Sequence, residues 1–159
     1  MSKIFCIGFQ KTGTTSLGKA FTMLGYRVCG VTQELLPALR VSDFEKIKEY
    51  LQSYDVCKDN PWPVLFRQLD EYFPDSKFIL THRNEDTWIK SVVNHFDSKP
   101  SDMNQYIYGV SFPKGHEERF LNRYREHTES VLNFFKDRQD DLLVINLEDG
   151  ATWEKICFI

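Results

Sequence analysis

Short apolar runs alternate along the chain with segments whose apolar residues recur at helical spacing. Five of the runs have the length of strands, at residues 3–9, 26–29, 54–57, 77–81 and 142–147. The first run, Lys-Ile-Phe-Cys-Ile-Gly-Phe, is almost continuously apolar, which is typical of a strand buried on both faces. This alternation predicts an α/β fold, in which a parallel sheet with right-handed crossovers carries helices on both faces.

The segments between the runs predict the helices. They lie at residues 15–24, 35–51, 61–73, 84–96, 116–138 and 152–158. The second helix is expected to break near its start, where Pro37 and the Ser42-Asp43 pair stand. Residues 98–114 are polar and contain Pro100, Gly109 and Pro113, so we expect a long loop there. Loops of this length are usually functional.

Size, composition and charge narrow the class of protein. The 159 residues contain no repeat and no Gly/Ser linker, so we predict one domain over residues 1–159. A net charge of −3 disfavours a broad nucleic-acid surface. No apolar run approaches the roughly 18 residues of a membrane span and no signal peptide is evident, so we expect a soluble, cytoplasmic protein. The four cysteines lack the paired spacing of metal or redox sites, and three of them lie inside apolar runs, which predicts buried free thiols.

The segment from Gly8 to Thr15 lies between the first predicted strand and the first predicted helix. Glycines five residues apart, Gly8 and Gly13, let the backbone turn tightly, so that successive N–H groups point at one anion. The helix N-terminus adds its partial positive charge. We therefore predict a phosphate-binding loop, whose candidate residues are Gly8, Gln10, Lys11, Thr12, Gly13, Thr14, Thr15 and Ser16.

The loop departs from that of enzymes that hydrolyse or transfer phosphate from ATP. Their pattern ends in Gly-Lys-Ser/Thr, whereas this chain has Gly13-Thr14-Thr15 and carries its lysine earlier, at Lys11. The strand at 77–81 runs into His82-Arg83 and not into an aspartate that would hold Mg²⁺. The last strand does lead to two acidic residues, but Glu148 and Asp149 come only after Asn146 and Leu147. These departures disfavour a P-loop nucleotide kinase, which is kept as an alternative.

Two motifs connect the chain to a known family. Residues 9–17 resemble the 5′-phosphosulfate loop of the sulfotransferases that use 3′-phosphoadenosine-5′-phosphosulfate (PAPS), which reads Lys-Ser/Thr-Gly-Thr-Thr. The second motif of that family is an arginine at a strand end with a serine eight residues later, and Arg83 and Ser91 match it. Residues 73–81 and 153–155 are similar to a sulfotransferase-like subfamily of bacteria and eukaryotes.

This resemblance implies a fold, a donor and its contacts. The fold is a three-layer P-loop fold with a five-stranded parallel sheet in the order 2-3-1-4-5. The donor is PAPS, its product is 3′,5′-bisphosphoadenosine, and Arg83 and Ser91 bind the 3′-phosphate. A guanidinium at a strand end and a hydroxyl two helical turns later can converge on one phosphate.

Transfer of a sulfuryl group requires a cation near the bridging oxygen and a base near the acceptor. Lys11 stands inside the loop, so we expect it to neutralise the leaving phosphate, and no metal is then required. Many family members have a histidine base in a Lys-Thr-His-x-Pro run, and the corresponding run here is Cys57-Lys58-Asp59-Asn60-Pro61. Asp59 is the base if burial favours its protonated form, or it is the N-cap of the helix near Pro61, and both roles stay open. His82 is the second candidate base.

Two features differ from the small-molecule sulfotransferases. Ser16 stands where they have a tryptophan that stacks on adenine, and their Gly- and Lys-rich C-terminal motif is absent before Ile159. We therefore expect a shortened C-terminal part, with adenine packing supplied elsewhere or by a partner chain in a homo-oligomer.

A non-catalytic nucleotide-binding module is the third hypothesis, after the sulfotransferase and the nucleotide kinase. The acceptor, a small molecule or a glycan with a hydroxyl or amine, is expected under a lid formed by Tyr106, Tyr108 and Phe112.

Overall fold

The computed structural model describes residues 2–146. Its sheet has five parallel strands, which are β1 (Ile4–Cys6), β2 (Val28–Cys29), β3 (Val56–Cys57), β4 (Lys77–His82) and β5 (Leu142–Asn146). Their order across the sheet is β2-β3-β1-β4-β5, so the predicted fold class and strand order are confirmed. The helix predicted at 152–158 and the Glu148-Asp149 pair lie outside the described residues.

Helices connect the strands. Those of residues 2–146 are α1 (Thr14–Met23), α2 (Leu36–Arg40), α3 (Phe44–Leu51), α4 (Phe66–Tyr72), α5 (Glu85–Phe96), α6 (Asp102–Tyr108) and α7 (Glu117–Phe134). The predicted break in the second helix is confirmed, since α2 ends and α3 begins anew at its own cap. The cap is Asp43, whose carboxylate accepts a hydrogen bond from the Lys46 N–H at 3.2 Å.

The central strand is buried on both faces, and its alternate side chains serve two different cores. Ile4 and Cys6 pack with Leu17 and Phe21 of α1. Phe5 points the other way, into a larger cluster that includes residues of α2 to α7. The predicted helical layers on both faces of the sheet are therefore confirmed.

The prediction of a structureless loop at residues 98–114 is wrong. Seven of these residues form α6, whose N-cap Ser101 accepts a hydrogen bond from the Asn104 N–H at 3.3 Å. The helix ends at Gly109, which has a φ of 72°. Pro100 and Pro113 lie outside this helix, so they bound it and do not interrupt it.

Tyr108, the last residue of α6, is not a lid residue. It is buried, and its ring stacks on Phe120 of α7 with 3.9 Å between ring centroids. Tyr106 is partly exposed on the same helix. The aromatic side chains of this segment therefore divide between the core and the surface.

Three observations bear on the class of protein. Cys6, Cys29 and Cys57 are free and buried, as predicted, while Cys157 lies outside the described residues. Between residues 2 and 146, no helix has the length and apolar character to cross a membrane. The same part of the chain holds no group of three or more His, Cys, Asp or Glu residues that could bind a metal ion.

Candidate functional site

The predicted phosphate-binding loop leaves β1 at the carboxyl edge of the sheet and is tied to β4. Gly8 lies so close to β4 that an added Cβ would be 2.0 Å from Thr81 Oγ1 and 2.3 Å from its carbonyl oxygen. The Thr12 hydroxyl donates to the carbonyl oxygen of Phe9 at 2.6 Å and accepts from the Thr81 hydroxyl at 2.7 Å. These contacts hold the loop against β4 at two points, Gly8 and Thr12.

The loop ends in a helix N-terminus that suits an anion. Gly13 has a φ of 101° and stands at the N-cap, and Leu17 N–H donates to its carbonyl oxygen at 3.1 Å. The N–H groups of Thr14, Thr15 and Ser16 precede this first helical hydrogen bond. The first turn of α1 carries no acidic side chain, so nothing on it opposes the partial positive charge of the helix start.

The cleft beside the loop brings together three of the predicted binding residues. Lys11, Arg83 and Ser91 line one cavity of about 450 Å³ between the loop and α5. The other lining residues are Thr87, Lys90, Asn94 and His95. Three of the seven side chains are lysine or arginine and none is acidic, so the cleft is suited to a multiply charged anion.

Arg83 is held in the cleft through its main chain. The Tyr124 hydroxyl accepts from the Arg83 N–H at 2.8 Å and donates to the Arg83 carbonyl oxygen at 2.9 Å. The Tyr124 ring stacks on Trp88 with 4.2 Å between centroids, and Trp88 Nε1–H donates to the carbonyl oxygen of Gln10 at 2.9 Å. A buried path therefore joins the arginine of β4 to the phosphate loop.

The start of α5 is set by Asn84, which is its N-cap. Its side-chain oxygen accepts hydrogen bonds from the N–H groups of Asp86 at 3.0 Å and Thr87 at 3.3 Å. Because helical spacing places residues three and four apart on one face, Thr87 and Ser91 point to the same cleft.

Asp59 lies in the turn after β3, where the sequence left two roles open. Its carboxylate is nearly buried and pairs with the Lys58 ammonium, with 2.5 Å between Nζ and Oδ2. The N-cap role is wrong, because the helical turn Trp62–Leu65 is preceded by Pro61 and receives no side-chain cap hydrogen bond. It is the carbonyl oxygen of Asp59 that accepts from the Trp62 N–H, at 3.1 Å.

Lys58 was not among the predicted site residues. Its side chain runs across the first helix, since a Cβ on Gly18 would lie 2.3 Å from Lys58 Cε. It therefore reaches from α1 to the Asp59 carboxylate at the edge of the sheet.

The side chain of Gln10 is turned away from the cleft. It is 6% exposed, and its oxygen accepts hydrogen bonds from Asn60 Nδ2 at 2.7 Å and from the Tyr108 hydroxyl at 2.9 Å. The amide thus lies among the loop, the turn that carries Asp59 and the end of α6.

His82 lies apart from Lys11. It lines a larger cavity of about 1020 Å³ on the other side of Arg83, whose described lining includes Glu85, Asp86 and Glu129. Arg83 and Arg125 also line it, and Arg125 pairs with Glu85 at 2.8 Å. Three carboxylates beside two guanidinium groups make this cavity less favourable to an anion than the cleft that contains Lys11, which has three cations and no carboxylate. Of the three predicted catalytic residues, Lys11, Asp59 and His82, only Lys11 therefore lines the cationic cleft.

His127 supports the loop from within the core. Its Nε2–H donates to the carbonyl oxygen of Ile7 at 2.7 Å, and its ring packs on Phe9 with 4.6 Å between centroids. Burial lowers the pKa of His127 to about 4, so the ring is neutral at physiological pH.

Sequence reasoning missed several residues around the cleft. Lys90 and Asn94 could have been found, because they follow Thr87 at helical spacing on the face that carries Ser91. Trp88 and Tyr124 gave no such signal, since an apolar face predicts burial but not which main-chain group a buried side chain will reach.

Comparison with protein families identifies a matching family. A family model described as a sulfotransferase domain matches residues 3–113, which are 111 of the 159 residues. The matched segment includes the loop, the turn with Asp59 and all residues that line the cleft of Lys11 and Arg83. A comparison with curated proteins finds no match.

Proposed function

The chain belongs to the sulfotransferase family, and on that premise we propose that it transfers a sulfuryl group from PAPS to a hydroxyl or amine of an acceptor, without a metal ion. The observation that carries the proposal is the junction of a phosphate-type loop with the cationic cleft of Lys11, Arg83 and Ser91. Two adjoining anion sites suit a nucleotide with phosphates at both its 5′ and 3′ positions, whereas AMP would use only one of them.

The residues present fit such a donor. The N–H groups at the start of α1 and the Lys11 ammonium would hold the 5′-phosphosulfate, and Arg83, Ser91 and Lys90 would hold the 3′-phosphate. When bound, PAPS supplies the activated sulfuryl group. The ammonium of Lys11 then neutralises the charge that builds up on the leaving phosphate oxygen.

The acceptor needs a base, and Asp59 is the first candidate. Lys58 engages Oδ2 of its carboxylate, so Oδ1 remains to take the proton of an acceptor hydroxyl. The ammonium of Lys58 also keeps the carboxylate oriented. We retain His82 as the second candidate base because it is adjacent to Arg83 at the end of β4.

We further propose a cytoplasmic location and a small-molecule or glycan acceptor. Three buried free thiols support the location, because reducing compartments keep cysteines in this state. Fractionation of cells that express the tagged chain tests the location.

The proposal is tested by calorimetric titration of 3′,5′-bisphosphoadenosine into the purified protein. We expect Arg83→Ala to weaken binding at least tenfold, because it removes the guanidinium of the cleft. Arg119→Ala, on the exposed side of α7, is the matched control and should bind like the parent. A parent that does not bind, or Arg83→Ala that binds as tightly as the control, would contradict the proposal.

Turnover separates an enzyme from a nucleotide-binding module. We expect Lys11→Ala to lower the rate of sulfuryl transfer about 10²–10³-fold, the usual effect of removing one group that stabilises transition-state charge. Lys46→Ala, exposed on α3, should leave the rate unchanged. Binding of the bisphosphate without transfer to any acceptor of a broad panel would indicate the non-catalytic alternative.

A further inference from the structure

The two residues proposed to act on the donor and the acceptor have an unusual backbone in common. Lys11 has a φ of 67° and Asp59 a φ of 64°, in the left-handed region that residues with a Cβ rarely adopt. Such conformations persist only where the surrounding structure holds them. Something must therefore fix the loop and the turn after β3 in these conformations.

The neighbours of these two residues are joined directly. Asn60 Nδ2 donates to Gln10 Oε1 at 2.7 Å, although the two residues are 50 positions apart. Gln10 precedes Lys11 and Asn60 follows Asp59, and both side chains are more than nine-tenths buried. One hydrogen bond shielded from water thus spans the two segments next to the residues in question.

Two other elements hold the same glutamine. The Tyr108 hydroxyl of α6 donates to Gln10 Oε1 at 2.9 Å, and Trp88 Nε1–H of α5 donates to the Gln10 main-chain oxygen at 2.9 Å. Burial raises the pKa of Tyr108, so its hydroxyl keeps the proton that it donates. The stack on Phe120 fixes the ring of Tyr108.

The hydrogen bonds of this cluster are directional. Gln10 and Asn60 are both buried, and the Gln10 amide oxygen accepts from two donors on different elements. Apolar side chains of the same size could fill this space but could not fix the orientation of the two segments in this way. The polar cluster therefore points to a geometric role.

We infer that Gln10 is a positioning residue, which sets the placement of the Lys11 ammonium relative to the Asp59 carboxylate. Tyr108 is a second positioning residue, because its hydrogen bond to Gln10 ties the loop to the end of α6. The inference deepens the proposed function and rests on it for the roles of Lys11 and Asp59. The geometric link itself is independent of the identity of the acceptor.

The test compares Tyr108→Phe and Gln10→Met with Tyr106→Phe, the matched control two residues earlier on α6. Tyr108→Phe removes one hydrogen bond to Gln10 and keeps the ring, and Gln10→Met removes the amide at similar size. Nuclear magnetic resonance of the free protein follows the amide of Lys11 and the side-chain carboxyl carbon of Asp59. We expect both signals to move in the two variants and to stay in place in the control.

The kinetics of sulfuryl transfer give a second measurement. A simple loss of stability would not change kcat at a temperature where the variant is folded. With PAPS and 2-naphthol as probes, at a temperature where all variants are folded, Tyr108→Phe should lower kcat at least tenfold. The KM for PAPS should change much less than kcat, because Arg83, Lys90 and Ser91, which would hold the 3′-phosphate, keep their places and only Lys11 shifts.

The outcomes separate the inference from the proposed function. Signals of Lys11 and Asp59 that stay in place in Tyr108→Phe and Gln10→Met would overturn the inference, even if the parent binds 3′,5′-bisphosphoadenosine. So would a rise in KM for PAPS at unchanged kcat. A parent that fails to bind the bisphosphate counts against the proposed function, while the resonances still decide whether Gln10 links the two segments.

Discussion

At the scale of single residues, the loop depends on buried polar side chains beneath it. Tyr124 holds the main chain of Arg83, Trp88 holds that of Gln10, and His127 holds that of Ile7, each by a hydrogen bond of 2.9 Å or less. Each of these three rings is buried. Rigid rings of this kind fix a main-chain atom with little side-chain freedom, so the anion-binding groups need little reorganisation on binding.

His127 makes the stability of the fold depend on pH. Burial lowers its pKa to about 4 from an ordinary value of 6.5. Well above pH 6.5 neither the folded nor the unfolded chain binds a proton here, and the stabilisation is complete. As the pH falls from 6.5 to about 4, only the unfolded chain takes up the proton, so the free energy of unfolding decreases by about 3 kcal/mol in total.

Urea denaturation at several pH values between 7.5 and 4.5 measures this effect. His127→Gln keeps a donor for Ile7 but cannot titrate, so it should lose less stability than the parent over this range. Equal pH dependence in the two proteins would contradict the prediction.

At the scale of elements, β4 organises the site from its carboxyl end. Thr81 ties the loop by its hydroxyl, and Arg83, one residue past the strand, lines the cleft. The capped start of α5 follows at once and presents Ser91 to the same cleft. A strand and the helix after it therefore supply one wall of the anion site, and the loop after β1 supplies the other.

The close approach of the loop to β4 predicts a strong effect of Gly8→Ala. The added Cβ would meet Thr81, including its main chain, so the two segments must separate. We expect a loss of about 3 kcal/mol in the free energy of unfolding, the upper part of the usual range for overpacking. Urea denaturation measures the loss.

Gly30→Ala is the matched control for Gly8→Ala. The nearest group to its added Cβ is the end of the Lys58 side chain, 4.0 Å away, which is ordinary contact. Its stability should change by less than about 0.5 kcal/mol. Equal losses in the two variants would show that the contact with Thr81 is not the cause.

At the scale of the whole molecule, positive charge is concentrated locally in a chain of net charge −3. The parallel sheet brings the carboxyl ends of β1, β3 and β4 to one edge. The loop, the Asp59 turn and Arg83 follow these three strands, so the order of strands alone makes them neighbours. The proposed site therefore combines anion binding and a candidate base at one edge of the sheet.

This arrangement predicts that ligand binding stabilises the whole fold. At 100 times its dissociation constant, 3′,5′-bisphosphoadenosine should add about 2.7 kcal/mol, which raises the Tm by roughly 5–10 °C in a chain of this size. Differential scanning calorimetry measures the shift. AMP at the same concentration should raise the Tm less, because it lacks the phosphate for Arg83 and Ser91. Equal shifts with the two nucleotides would contradict the assignment of the cleft.

The sequence predicted correctly those positions that depend on a single strand, loop or helix. The loop that carries Lys11 lies between β1 and α1. Arg83 directly follows the end of β4, and Ser91 stands two helical turns later on α5, so local spacing is enough to direct both to the cleft beside the loop. Prediction failed for residues 98–114, where flanking prolines were taken as signs of a loop although they stand outside α6.

The sequence by itself determined the succession of strands and helices along the chain and the position of the phosphate-type loop with Lys11. Local spacing is sufficient for these, because it decides which residues share a face or stand at a strand end. Only the tertiary structure decided that Asp59 pairs with Lys58, that His82 lies in a different cavity from Lys11, and that Gln10 turns inward. Gln10 meets Asn60 and Tyr108 across 50 and 98 residues of chain, and such contacts depend on how all the elements pack together.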